Sequence, residues 1–165
     1  MLAVDSPLAE IQTSVGQVVG LLEAIDEASG SEDAAQIARE GKLHADAIPA
    51  IIILAEQLGL VSVDDGDVIL MDQGRRVLHA SIADRRKVFA GLLNKQDWMQ
   101  EVERTLRSQG GSADRAQVVT ALATKYGTYQ AEALVHTAVY WGRYCGLLRY
   151  NSHTERLSLT KHPPG

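Results

Sequence analysis

Aromatic residues are scarce in this chain, at 5% of 165 residues. Any core must therefore be aliphatic, and Ala, Leu, Val and Ile dominate a hydrophobic share of 45%. Cysteine occurs once, at Cys145. That excludes an internal disulfide and fits a reducing compartment. The longest apolar run, AIPAIIILA at residues 47–55, is too short to cross a bilayer and contains a proline. The start, MLAVDSPLAE, has neither the basic residues nor the apolar stretch of a secretory signal. A cytoplasmic protein without direct membrane insertion is expected.

Catalytic signatures are missing too. A P-loop needs G-x-x-x-x-G-K-[ST], so that backbone amides cradle phosphates and the lysine reaches the outermost ones. Gly41-Lys42 is the only Gly-Lys pair; Leu43 follows it, and Gln36 stands where the first glycine belongs. There is no G-x-S-x-G, no H-E-x-x-H and no cysteine pair at metal-ligand spacing. The histidines, His44, His79, His136, His153 and His162, are dispersed. The acidic run Asp64-Asp65-Gly66-Asp67 is no EF-hand, because Arg75 stands where the bidentate glutamate is needed. Cys145 has no base at helical spacing and reads as a buried, inert thiol. No enzyme, cofactor or metal is expected.

The charge is uneven. Residues 1–82 hold four Lys/Arg against 14 Asp/Glu, and residues 83–165 hold 12 against seven, balances of −10 and +5 within the net −5. The first half would be repelled by phosphate. The second half is less basic than nucleic-acid binding usually demands.

Periodicity organises the rest. Val18, Leu21, Leu22 and Ile25 line one face of a helix over 15–30, which Gly30 ends. Ser31 is the expected cap of a second helix that closes at Gly41. A third, from Asp46 as N-cap to Gly59, buries Ile48, Ile51, Ile52, Ala55 and Leu58, with Pro49 harmless in its first turn. LVSVDDGDVILM reads as a hairpin about Asp65-Gly66. Asp72 then caps a short helix. Residues 83–109 are helical with a break near Asn94–Gln96, and Val88, Leu92, Trp98, Val102 and Leu106 supply the apolar positions. Asp114 caps a helix ending at Gly127, Thr128 caps another, and LLRY with RLSLT forms a second hairpin. The order helix, helix, helix, hairpin thus occurs twice, without a close sequence repeat. The expected fold is mainly α (α+β): tandem winged helix-turn-helix units, each three helices plus a β-hairpin, over 15–80 and 83–161. The ends, 1–14 and 162–165, are expected to be loosely held.

Projected at about 100° per residue, the helix over 128–146 gathers Leu134, Ala138, Trp141 and Cys145 on one side, with Ala131 close by. Tyr129, Glu132, His136, Tyr140 and Arg143 fall opposite. Tyrosines, a histidine and an arginine on an outward face suit a protein contact. A single sure cation suits phosphate poorly. The expected interaction surface is Tyr129, His136, Tyr140 and Arg143, with Trp141, Gly142 and Tyr144 as packing residues. Gly142 is expected to admit another backbone closely. The alternative, a DNA-binding transcriptional regulator, would place phosphate contacts on Arg85, Arg86, Lys87, Arg104, Arg107 and Arg115.

Three stretches together resemble a known family: VGQVVGLLEAIDEASGSEDAAQIARE, LAEQLGLVSVDDGDVILMDQGRRV and AVYWGRYCGLLRYNSHTERLSLT. The most specific pieces are WGRY at 141–144 with the following Y-N-S-x-T-x-R-L, and E-x-x-G-[LF]-[VI]-x-[VL] at Glu56–Val63. The resemblance is to the AAA-associated C-terminal domain of nitrate/sulfonate/taurine/bicarbonate-type ABC transporter ATP-binding subunits, over about Val15 to Thr160. It implies a tandem winged-helix accessory module without catalysis, placed beside a transporter ATPase at the inner membrane. The implied partners are the ATPase or permease subunit, or a twin of the chain itself. No ATPase sequence precedes the resemblance. The chain therefore reads either as a stand-alone copy, whose ATPase is supplied in trans, or as a piece of a longer protein.

Overall fold

Residues 13–160 are described by the computed structural model. The expected loose ends lie outside them except for Thr13, which is buried, and Ser14, which caps the first helix. The described chain divides between Arg85 and Arg86 into two compact units.

In the first unit, α1 (Val15–Glu27) opens on a capping box: Ser14 Oγ accepts from the Gln17 N–H at 3.1 Å, and Gln17 Oε1 accepts from the Ser14 N–H at 2.9 Å. Val18, Leu21, Leu22 and Ile25 are wholly buried, as their spacing requires. The helix ends earlier than expected. Ser29 and Gly30 take positive φ, 68° and 97°, and the Gly30 N–H returns to the Ile25 carbonyl at 2.9 Å. Residues Ser31–Asp33, expected to open a helix, form instead a short strand, β1. Asp33 is the cap of α2 (Ala34–Glu40), its Oδ1 accepting from Ala35 and Gln36 N–H groups at 2.8 and 3.2 Å.

A 3₁₀ turn, Ala45–Ala47, leads into α3 (Ile48–Gln57), so Asp46 lies in the turn and Ala47 is the cap. Strands β2 (Val61–Asp64) and β3 (Asp67–Leu70) flank Asp65-Gly66, whose φ values of 50° and 89° are those a type I′ turn needs. β1 pairs antiparallel with β3, giving the order β1-β3-β2. In α4 (Asp72–His79) the cap is Met71 rather than Asp72: Met71 keeps the extended backbone of the strand before it, φ −95° and ψ 169°, with its N–H on the Leu60 carbonyl at 3.0 Å. α4 packs on α1 through Gly74. A Cβ there would lie 2.5 Å from the Leu60 carbonyl oxygen and 2.6 Å from Leu70 Cδ1, so no side chain fits.

Helix α5 (Ile82–Leu93) contains the division between units, and α6 (Asp97–Ser108) follows after the expected break. Leu92, Trp98, Val102 and Leu106 are buried and Val88 is half-buried. Then come β4 (Ser112–Asp114), α7 (Arg115–Tyr126), α8 (Thr128–Cys145), β5 (Leu148–Asn151) and β6 (Arg156–Leu159). Gly127, not Thr128, precedes α8 as its cap. The second sheet has the order β4-β6-β5.

The architecture is mainly helical with small antiparallel sheets, and one order occurs twice: helix, strand, helix, helix, hairpin. The hydrogen bonds repeat with it. Gly30 N–H to Ile25 matches Gly111 N–H to Leu106; Leu70 N–H to Gly30 matches Leu159 N–H to Gly111; Met71 N–H to Leu60 matches Thr160 N–H to Leu147. These bonds align a local sequence repeat: GSEDAAQI at 30–37 against GSADRAQV at 111–118. The second copy has the same cap, with Asp114 and Gln117 in a capping box.

Candidate interaction surface

Helix α8 is held by glycines at both ends. Gly127 turns into it at φ 81°, and Gly146 closes it at φ 74°, donating to the Arg143 carbonyl. Its inner side is as expected: Ala131, Leu134, Ala138, Trp141 and Cys145 are buried. On the outer side Tyr129 is 58% exposed, and His136 and Arg143 are exposed. Glu132 is engaged by Arg115 at 2.8 Å. Tyr140 is half-buried, its ring edge-on to Trp141 at 5.8 Å. The structure thus sets Tyr129, His136 and Arg143 along one exposed stripe, with Tyr140 anchored at its edge.

Beneath lies an aromatic cluster in a chain poor in aromatics. Trp141 meets Phe89 at 5.2 Å and Tyr144 at 6.1 Å. Arg86 lies over the Tyr144 ring at 5.8 Å and donates from Nε to the Tyr144 carbonyl at 2.8 Å. That bond caps an end of α8 and fixes Tyr144. Gly142 was expected from sequence to admit another backbone, but it packs against a side chain instead. It is covered by Leu148 of β5, whose Cδ1 would lie 2.7 Å from an added Cβ. Burial pushes the Cys145 thiol up to about 12, against a small opposing pull from Arg86. The thiol stays protonated at neutral pH and is no nucleophile.

The repeat places α3 where α8 stands. Aligned on Gly59 and Gly146, Pro49 corresponds to His136, Ile52 to Val139, Ile53 to Tyr140 and Glu56 to Arg143, and the burial of the two series agrees. Ile52 is accordingly half-buried rather than part of the core. In the first unit this outward stripe borders an apolar groove of about 490 Å³ between α2 and α3, floored by Ala34, Ala35, Ala38 and Ala45. Sequence reading missed the groove. Its signal was the run of alanines facing apolar positions spaced i, i+3, i+4.

Of the six basic residues that a DNA-binding reading requires, four are engaged internally. Arg85 donates to the Val77 carbonyl at 3.0 Å, Arg86 to Tyr144, Arg104 to Glu101, and Arg115 to Glu132. Among the described residues no helix is long and apolar enough to cross a membrane.

The family model for the C-terminal AAA-associated domain matches residues 35–151, and the chain belongs to that family. No curated protein and no solved structure matches the chain.

Proposed function

We propose that this AAA-associated domain is a non-catalytic interaction module that works beside an ATPase, that the ATPase belongs to an ABC-type anion importer, and that docking uses the outward face of α8. The observation that carries the reading is the exposed stripe of Tyr129, His136 and Arg143 along α8, with Tyr140 packed on Trp141 at its edge. Tyrosine and arginine are residues that concentrate binding energy at protein interfaces. The helix–strand–helix–helix–hairpin order supports a winged helix in each unit. In this mechanism the module docks in the cytoplasm on an ATP-binding subunit, with Tyr129, His136, Tyr140 and Arg143 at the contact, and biases closure of the ATPase dimer. The anion importer comes from the sequence resemblance to nitrate/sulfonate/taurine/bicarbonate-type systems. A winged-helix DNA reader is less well supported, because four of the six basic residues that it needs already have partners in the protein.

The test is a pull-down with the tagged chain from native cytosol and membrane fractions. Recovery of a transporter ATP-binding subunit, weakened by about 1–2 kcal/mol in Arg143→Ala, is expected. Recovery of nucleic acid that nuclease removes overturns the proposal. So does ATPase recovery that is equal for wild type, Arg143→Ala and Tyr129→Ala.

A further inference from the structure

We infer that the groove between α2 and α3 docks an amphipathic helix of a partner protein, one with an aliphatic face flanked by lysine or arginine. The groove lies wholly within the first unit and is separate from the α8 surface of the functional proposal.

Shape comes first. Pro49, Ile52, Ile53 and Glu56 stand at i, i+3, i+4 and i+7 on α3, a straight stripe along two turns. Ala34, Ala35 and Ala38 on α2, with Ala45, make the facing floor, and Val63 of β2, 40% exposed, adds to the apolar lining. Alanines leave room for a helix backbone to approach, and the isoleucines offer holes for its apolar side chains. That is the helix-in-groove mode, in which anchors recur at helical spacing.

Charge selects the helix. Among the described residues, Glu56 is the only charged one lining the groove. Asp33, Asp46 and Asp64 adjoin lining residues in the chain and are exposed. Among the described residues, neither Glu56 nor Asp46 forms an ion pair. Of the unit's own cations, Lys42 pairs with Glu27, Arg75 with Asp72, and Arg76 bonds Gln73; Arg39, next to Ala38, bonds only the neutral Gln36 and is one cation beside four acids. An apolar trough with a net acidic rim is complementary to an apolar helix with cationic flanks.

The second unit shows what chemistry fits the place. Arg115 occupies the position of Ala34, Glu132 that of Ala45, and the two pair at 2.8 Å across the equivalent space. There the fold supplies its own cation, and acids line the small polar cleft that remains. In the first unit alanines replace both, which leaves the equivalent space open and apolar, with the acids only at its edge.

The experiment uses the full chain and a fluorescein-labelled peptide of about four helical turns, leucine on one face and lysine elsewhere. The same peptide with glutamate for lysine is the comparison. Saturable binding of the lysine peptide alone is expected, weakened about ten-fold or more by Ile53→Asn. Salt weakens the binding as well. Should Ile53→Asn lose its helical circular dichroism, Ala34→Arg with Ala45→Glu closes the groove with the second unit's own pair and must give the same loss. Glu23→Gln, an exposed acid on α1, and Tyr129→Ala on α8 are expected to leave affinity unchanged. Equal binding by wild type and the groove variants shows that the peptide merely coats acidic surface, and overturns the inference. Absence of binding overturns it as well. So does self-association of the chain that Ile53→Asn abolishes, since the occupant is then a second copy.

Discussion

The two units share an order of elements and a set of backbone hydrogen bonds, yet they finish differently on both faces of the repeat. The first unit follows its hairpin with α4, which packs on α1 where Leu22 is fully buried. In the second unit the aligned position on α6 is Glu103, half-buried, and among the described residues no helix follows β6. On the other face, α3 presents isoleucines beside an apolar groove, and α8 presents tyrosine, histidine and arginine over an aromatic cluster. Backbone geometry has been kept and side-chain chemistry has been divided. Matched positions of one fold thus carry two different surfaces, one aliphatic and one of tyrosine, histidine and arginine.

The largest expected effect breaks the comparison at its core. Leu54 and Trp141 hold matched positions and are both buried. Trp141→Ala removes the centre of the Phe89, Tyr140 and Tyr144 cluster and is expected to cost about 3–5 kcal/mol, as large aromatic truncations do. Trp141→Leu, the first unit's residue, is expected to recover part of that loss. Urea denaturation followed by circular dichroism measures both. A loss below about 1 kcal/mol for Trp141→Ala means that the cluster does not organise α8.

A smaller effect sharpens the same alignment. Gly142 corresponds to Ala55, and Leu148 to Val61. Gly142→Ala drives a methyl into Leu148 and is expected to cost about 1–3 kcal/mol. Adding Leu148→Val installs the first unit's pair and is expected to restore most of it. Gly74→Ala has no such remedy, because its nearest neighbour is the Leu60 carbonyl. It is expected to exceed Gly142→Ala. Thermal unfolding midpoints rank the three variants, and a double variant no better than the single one rejects the alignment.

Much of this was legible from residue spacing. The α1 and α8 core faces, the Asp65-Gly66 hairpin and the break before α6 follow from periodicity and turn chemistry, which are local. What escaped was decided by partners far along the chain. Ser31–Asp33 is too short to show alternation, and it is a strand only because β3 pairs with it. Ser112–Asp114 repeats the case against β6. The sequence repeat was hidden because the spacing between matched positions changes along the chain. α2 has seven residues and a 3₁₀ turn follows it, whereas α7 has 12 and runs almost directly into α8. Of the expected surface, the spacing placed Tyr129, His136 and Arg143 on one outward stripe. It could not show that Tyr140 leans on Trp141, or that Arg115 takes Glu132 out of the stripe. Those depend on packing between elements.

The smallest expected effect tests the open flank of the second unit. Burial raises the Glu103 carboxyl above the usual carboxylate range, and Arg107 only partly opposes it. The fold therefore prefers the protonated side chain. Well below the unfolded pKa both states hold the proton and nothing is lost. As pH rises through the unfolded and then the raised folded value, the unfolded chain ionises more readily, and this contribution to stability is lost. Glu103→Gln has no charge to desolvate. It is expected to be slightly more stable than wild type at pH 7, by less than about 0.5 kcal/mol for a half-exposed site. The advantage is expected to vanish on acidification below the carboxylate range. Leu22, at the matched position under α4, carries no such pH dependence. A Glu103→Gln gain that is the same at pH 3 and pH 7 would assign the effect to packing, and the two flanks would then differ in shape rather than in solvation.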